Sequence, residues 1–195
     1  MKKIAFLFIL TLISAQFAAQ ERVENKDPQD IGKNYELKIN VFNLIAFAAI
    51  DLSYERLINE DSSYGVAVFY NSSDNKNADI LFPKKFSITP YYRWFFSENK
   101  YARGFFIEGF GMLNTFQDMF YNNYDSYENS NKVESQTGFA LGVSVGGKFI
   151  TEGGFTTEIL LGVGRNLIKE KNDDYYGFFE NNIVGRLGIS LGYRF

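Results

Sequence analysis

The last thirteen residues alternate without a break. Ile183, Gly185, Leu187, Ile189, Leu191, Tyr193 and Phe195 fall on one face, and Val184, Arg186, Gly188, Ser190, Gly192 and Arg194 on the other. A period of two predicts a strand with one apolar and one largely polar face. The same pattern recurs upstream. Tyr35, Leu37, Ile39 and Val41 oppose Glu36, Lys38 and Asn40; Ile50, Leu52 and Tyr54 oppose Asp51, Ser53 and Glu55; Tyr64, Val66, Val68 and Tyr70 oppose Gly65, Ala67 and Phe69. Phe86, Ile88, Pro90, Tyr92, Trp94 and Phe96 alternate with Ser87, Thr89, Tyr91, Arg93 and Phe95, and the alternation outweighs the ladder donor that Pro90 removes. Three more strands follow: Phe105 to Leu113, with Phe106, Glu108, Phe110 and Met112 on the second face; Gly138 to Phe149, with Gly142, Ser144, Gly146 and Lys148; and Phe155 to Gly164, with Thr156, Glu158, Leu160 and Gly162.

The connections sort by length. Residues 58–63, 97–103 and 151–154 are short, whereas 71–85, 118–136 and 169–182 are long and hydrophilic. Segment 43–49, between the first two strands, is apolar, and a short turn near a lipid surface is expected there. About eight strands with long and short links in alternation predict an all-β, antiparallel up-and-down transmembrane β-barrel, with long outer loops and short periplasmic turns. Both termini then fall at the periplasmic end.

The first twenty residues have a different organisation. Lys2 and Lys3 precede the apolar run 4–13, and small residues including Ala15, Ala18 and Ala19 follow. This predicts a signal peptide over 1–20 and export. Residues 21–33 form a flexible polar leader, and 34–195 the barrel. No apolar run reaches the roughly 20 residues of a spanning helix. There is no cysteine, which excludes a lipid-anchored amino terminus and disulfides.

Losing residues 1–20 removes two lysines and no acid, so the formal charge moves from −3 to −5, which argues against nucleic acid as a partner. A mean hydropathy of −0.19 suits strands that are apolar on alternate residues only. Thirteen Tyr and twenty-one Phe exceed what a core of this size needs and fit aromatic girdles at two membrane interfaces.

Placing the apolar faces outward turns Glu36, Lys38, Asp51, Glu55, Arg93, Glu108, Lys148, Glu158, Arg186 and Arg194 inward. An eight-stranded barrel has room inside for side chains and little more. Five acids and five bases in that space predict an internal salt-bridge network, because each unpaired charge would cost several kcal/mol. Phe95, Phe106, Phe110, Met112 and Leu160 also face inward, opposite the inward glycines Gly142, Gly146, Gly162, Gly164, Gly188 and Gly192, which is packing and not a wide pore.

Catalysis is not expected. Small-barrel hydrolases and acyltransferases resemble one another in using a histidine base, and this chain has no histidine. Glu55 and Glu108 form a carboxylate pair, but a structural ion-pair role outweighs acid–base work. The acids Asp118, Asp125, Glu128, Asp173 and Asp174 lack the spacing of a calcium loop. No cofactor is expected. Tyr121, Tyr124, Tyr127, Tyr175 and Tyr176, set among Asn and acidic residues, offer contacts to a surface ligand or anchor the headgroup level.

The export segment, the alternating strands, the Tyr193-x-Phe195 ending and the Tyr54-Glu55-Arg56 segment together resemble small outer-membrane β-barrels. More narrowly, the chain resembles an uncharacterised domain-of-unknown-function family of such barrels common in Bacteroidetes. The resemblance implies a place in the outer membrane of a Gram-negative bacterium, among its lipids. It also implies insertion by the barrel assembly machinery, which reads a terminal aromatic preceded by alternating apolar residues, here Leu187, Ile189, Leu191, Tyr193 and Phe195. The expected role is structural or surface-interacting. A narrow ion or small-solute channel and a secreted lipocalin-like binder of an apolar ligand are the alternatives.

Overall fold

A computed structural model describes residues 32–71, 84–97, 101–119, 133–169 and 183–195. The export segment, nearly all of the leader and the five loop tyrosines named above lie outside these residues. Eight strands close into an antiparallel up-and-down barrel: β1 (Tyr35–Asn40), β2 (Ala49–Leu57), β3 (Ser62–Asn71), β4 (Lys84–Phe95), β5 (Gly104–Met119), β6 (Val133–Ile150), β7 (Phe155–Lys169) and β8 (Ile183–Arg194). Each strand pairs with its sequence neighbours, and β8 returns to β1 in the register Glu36 to Arg194 through Asn40 to Ser190. Reciprocal backbone hydrogen bonds between Tyr35 and Phe195 tie the first strand to the end of the last. The end that carries them, residues 58–61, 96–97 and 101–103, and the turn 151–154 is called lower, and the opposite end upper.

The structure corrects several expected boundaries. Val41 does not extend β1, because the segment expected to be a turn is a helix, α1 (Val41–Phe47). Asn40 caps it, its side-chain oxygen accepting from the Asn43 backbone N–H, and Ala48 ends it in the left-handed region at φ 51°. Ser62 and Ser63 belong to β3 and Lys84 and Lys85 to β4, so these links are shorter than expected. Between Lys84 and Phe86 the pairing register with β5 shifts. β5, β6 and β7 run to 16, 18 and 15 residues, well past the alternation that announced them, while β1 has six. The wall is therefore tall on one side and low on the other.

The two faces differ as the alternation requires. Leu52, Val68, Val143, Ile159, Leu161 and Leu187 are among the many large apolar side chains exposed on the outside. The lower rim carries aromatic rings outside, with Tyr35 stacked on Tyr54 and on Phe195 at 5.9 and 6.2 Å, Tyr92 against Trp94 at 4.6 Å, and Phe96 against Phe105 at 6.1 Å.

Inside, bulky side chains stand against bare backbone. A Cβ at Gly146 would lie 2.4 Å from the Phe106 ring, and one at Gly142 2.3 Å from the Phe110 ring. Glycine at these positions is what lets the rings turn inward. Leu57, Phe95, Ala102, Phe106 and Leu160 fill the lower interior, and Ala67, Tyr91, Phe110, Met112, Ala140 and Val184 pack higher up. The 101–103 turn tucks under the barrel, where the Ala102 N–H donates to the Glu60 carbonyl at 2.7 Å.

Candidate functional site

The charged interior begins with an arrangement that would fail alone. β1 and β2 place Glu36 directly beside Glu55, two buried carboxylates on neighbouring strands. Lys148, reaching across from β6, answers both: its Nζ lies 2.8 Å from Glu36 and 2.6 Å from Glu55. Lys38 approaches from the other side, pairing with Glu55 and with Glu158 at 2.7 Å, 3.6 Å from Glu36. Ser63 adds a hydroxyl donor to Glu55 at 2.6 Å.

Arg93 is the hub. Its Nε donates to Glu108 at 2.8 Å, Nη1 to Glu55 at 2.8 Å and to Glu158 at 2.7 Å, and Nη2 to the other Glu158 oxygen at 2.9 Å. The Tyr91 and Phe106 rings each lie 4.4 Å from its guanidinium carbon, so its plane is held by aromatic faces while its edge meets carboxylates. Arg186 pairs with Glu108, which also accepts from Ser144 at 3.0 Å. At the lower end Arg194 meets Glu36 at 2.6 Å and donates to the carbonyls of Tyr101 at 3.0 Å and Ala102 at 2.9 Å.

Nine of the ten inward charges expected from the sequence thus meet in one knot, four glutamates against two lysines and three arginines. Asp51 stands apart. Its carboxylate sits higher, accepting from the side-chain amides of Asn40 at 2.9 Å and Asn43 at 2.6 Å. Between Asp51 and the knot lies a polar cavity of about 40 Å³, room for a few waters. Asp51, Ser53, Lys84, Ser87, Thr89, Arg93, Arg186 and Ser190 are among its lining.

Several participants were not anticipated. Asn40 continues the inward phase of β1 and was legible there, whereas Asn43 needed the unforeseen helix. Lys84, its Nζ 4.2 Å from the Phe69 ring centre, breaks the phase of its own strand where the register shifts. The terminal residues Leu187, Ile189, Tyr193 and Phe195 are exposed on the outer face, and Leu191 is half-buried beside Ile39.

The described residues contain no cluster of three or more acidic, histidine or cysteine side chains placed to hold a metal ion. Chemically, the interior joins and fixes charge. Each glutamate of the knot accepts from at least two donors, so every carboxylate in it is paired and oriented. Comparison with protein-family models, curated proteins and solved structures finds no match to this chain.

Proposed function

We propose that the protein is an integral outer-membrane β-barrel of structural or surface-interacting type, without catalysis, closed by its own side chains to free passage of solutes. The observation that carries this reading is the polarity of the wall: charges are buried inside, and aliphatic and aromatic side chains are exposed outside. In water, such an exterior would be an adhesive patch far larger than the few hundred Å² that monomeric proteins present. In a bilayer it is the surface that the solvent requires. The rings at the lower rim suit an interface girdle, and the lengths of β5, β6 and β7 exceed the roughly 9–11 residues a tilted strand needs to cross.

A lipocalin-like binder needs the opposite polarity, an apolar interior and a polar surface. A conducting path would have to run through the Arg93 hub and past the 101–103 turn. Expression of the full chain with its leader in a Gram-negative host tests the proposal. The expected result is an outer-membrane fraction whose band shifts on boiling and whose circular dichroism is that of strands. An unshifted band without strand signal overturns the reading. In planar bilayers the barrel is expected to add no conductance above leak, and reproducible channels lost on Arg93 or Glu108 substitution would favour the channel. Deletion of Phe195 is expected to impair insertion through the assembly machinery.

A further inference from the structure

Two cations stand on the outer face of the lower rim, and both lie against rings. Across β3, β2, β1 and β8 the outward residues at this level are Tyr64, Arg56, Tyr35 and Phe195: Tyr64 is paired with Arg56, Arg56 with Tyr35, and Tyr35 exchanges backbone bonds with Phe195. The Arg56 guanidinium carbon lies 5.8 Å from the centre of the Tyr35 ring, and Nη1 donates to the Tyr64 hydroxyl at 3.3 Å. Lys33, two residues before Tyr35, leans the other way, over β8. Its Nζ lies 5.8 Å from the centre of the Tyr193 ring, and a Cβ at Gly154 would stand 3.3 Å from it. The cations therefore flank the stack of Tyr35 on Phe195, one on each side.

Neither charge is answered by the protein. Among the described residues Arg56 and Lys33 pair with no carboxylate, although Glu60 and Asp61 follow in the turn after β2 and Glu152 lies in the turn before β7. A guanidinium and an ammonium each present several N–H donors, and Tyr64, which accepts from Arg56, keeps its own hydroxyl hydrogen to donate. Ring faces hold both cations in place without neutralising them, which lowers the cost of ordering them around an anion. Immediately above, the outer face turns apolar. Leu37 is paired with Tyr193, each about half exposed, and Ile39 lies beside Leu191.

We propose that this sector of the lower rim is a headgroup site for an anionic glycerophospholipid. The phosphodiester accepts from Arg56 and the Tyr64 hydroxyl, Lys33 adds its charge from the far side of the Tyr35–Phe195 stack, and the acyl chains lie along Leu37, Ile39 and Tyr193. Charge selects the headgroup: a phosphodiester answers the open guanidinium donors, whereas the added ammonium of a zwitterionic lipid would meet two like charges. The end of the barrel selects the lipid class, because the lower rim is periplasmic on the proposed reading, the side of an outer membrane that glycerophospholipids occupy. Arg165, an exposed outward cation towards the other end, is paired instead with the aliphatic Leu141 and Ile183.

The inference rests on the membrane reading, and one experiment separates the two. The full chain is refolded into phosphatidylcholine vesicles containing a minor fraction of phosphatidylglycerol whose acyl chain carries a photoreactive diazirine, and labelled positions are mapped by mass spectrometry. Labelling is expected to concentrate on residues 33–39, 52–56 and 189–195. It should fall about fivefold in Arg56→Gln, the scale of one cation near an anionic lipid, and by less in Lys33→Gln. It should survive in the charge-keeping Arg56→Lys and in Arg165→Gln, and the same probe on a phosphatidylcholine headgroup should label the wall evenly. Even labelling by the phosphatidylglycerol probe, equal patterns from the two headgroups, or an equal loss in Arg165→Gln, in vesicles whose barrel shifts on boiling, overturns this site and leaves the membrane reading standing. A chain that never yields a heat-shifted band overturns both.

Discussion

The lower and upper halves of the interior solve the same problem differently. Below, carboxylates and cations are packed to mutual satisfaction, with Glu36 and Glu55 forced together by strand pairing and held by Lys148, Lys38, Arg93 and Arg194. Above, Asp51 rests on two amides, hydroxyls face a cavity, and a seven-residue helix stands in for strand. Desolvation explains the contrast. A charge sealed among rings needs a partner in every direction, because removing one partner strands the rest, whereas a polar group beside a water-sized space keeps some of its hydration. The lower half therefore holds the barrel together, and the upper half keeps a polar space with room for water.

Substitutions, read out by urea unfolding of the refolded barrel in lipid, order that contrast. Arg93→Ala should cost most, about 3–5 kcal/mol, because it strips Glu55, Glu108 and Glu158 of a buried cation at once. If it costs no more than changes near Asp51, the division between the halves is wrong. Gly146→Ala should cost about 1–3 kcal/mol by driving a methyl group into Phe106. Arg186→Ala should leave insertion intact and weaken the barrel by roughly 1–3 kcal/mol, since Glu108 keeps Arg93 and Ser144. Asp51→Asn should cost about 1 kcal/mol, the scale of exchanging hydrogen bonds between amides and a carboxylate. Ser87→Ala should lie within about 0.5 kcal/mol of wild type, for its side chain lines the polar cavity, where water can take the place of the lost hydroxyl. A large loss there would mean that the cavity is structural.

Alternation was enough to place eight strands and to assign their faces, because one-face burial imposes period two wherever the ladder is regular. It failed where regularity did. Val41 continues the β1 alternation by composition alone, and seven residues are too few for a helical period to show. Lys84 escaped because the register shift at Phe86 turns a side chain against the phase of its neighbours. The inward charges were legible as a set, yet their pairing was not. That Lys148 reaches Glu36 across the barrel depends on how strands tilt and stagger around it, which no single strand encodes. The carbonyls of Tyr101 and Ala102 that receive Arg194 left no trace at all, since a backbone acceptor is common to every residue.

The clasp at Arg194 also sets an order of events. Its partner Glu36 lies 158 residues earlier, and the turn carbonyls it binds lie about midway between them. None of these meets the guanidinium until the eighth strand arrives, so the contact of longest loop is made last. Until then Glu36 and its neighbours face each other with one cation missing, and an unfinished barrel gains little from the strands already paired. Completion is thereby nearly all-or-none: a chain cut short of its final strand is expected to remain open to proteases, instead of persisting as a seven-stranded remnant.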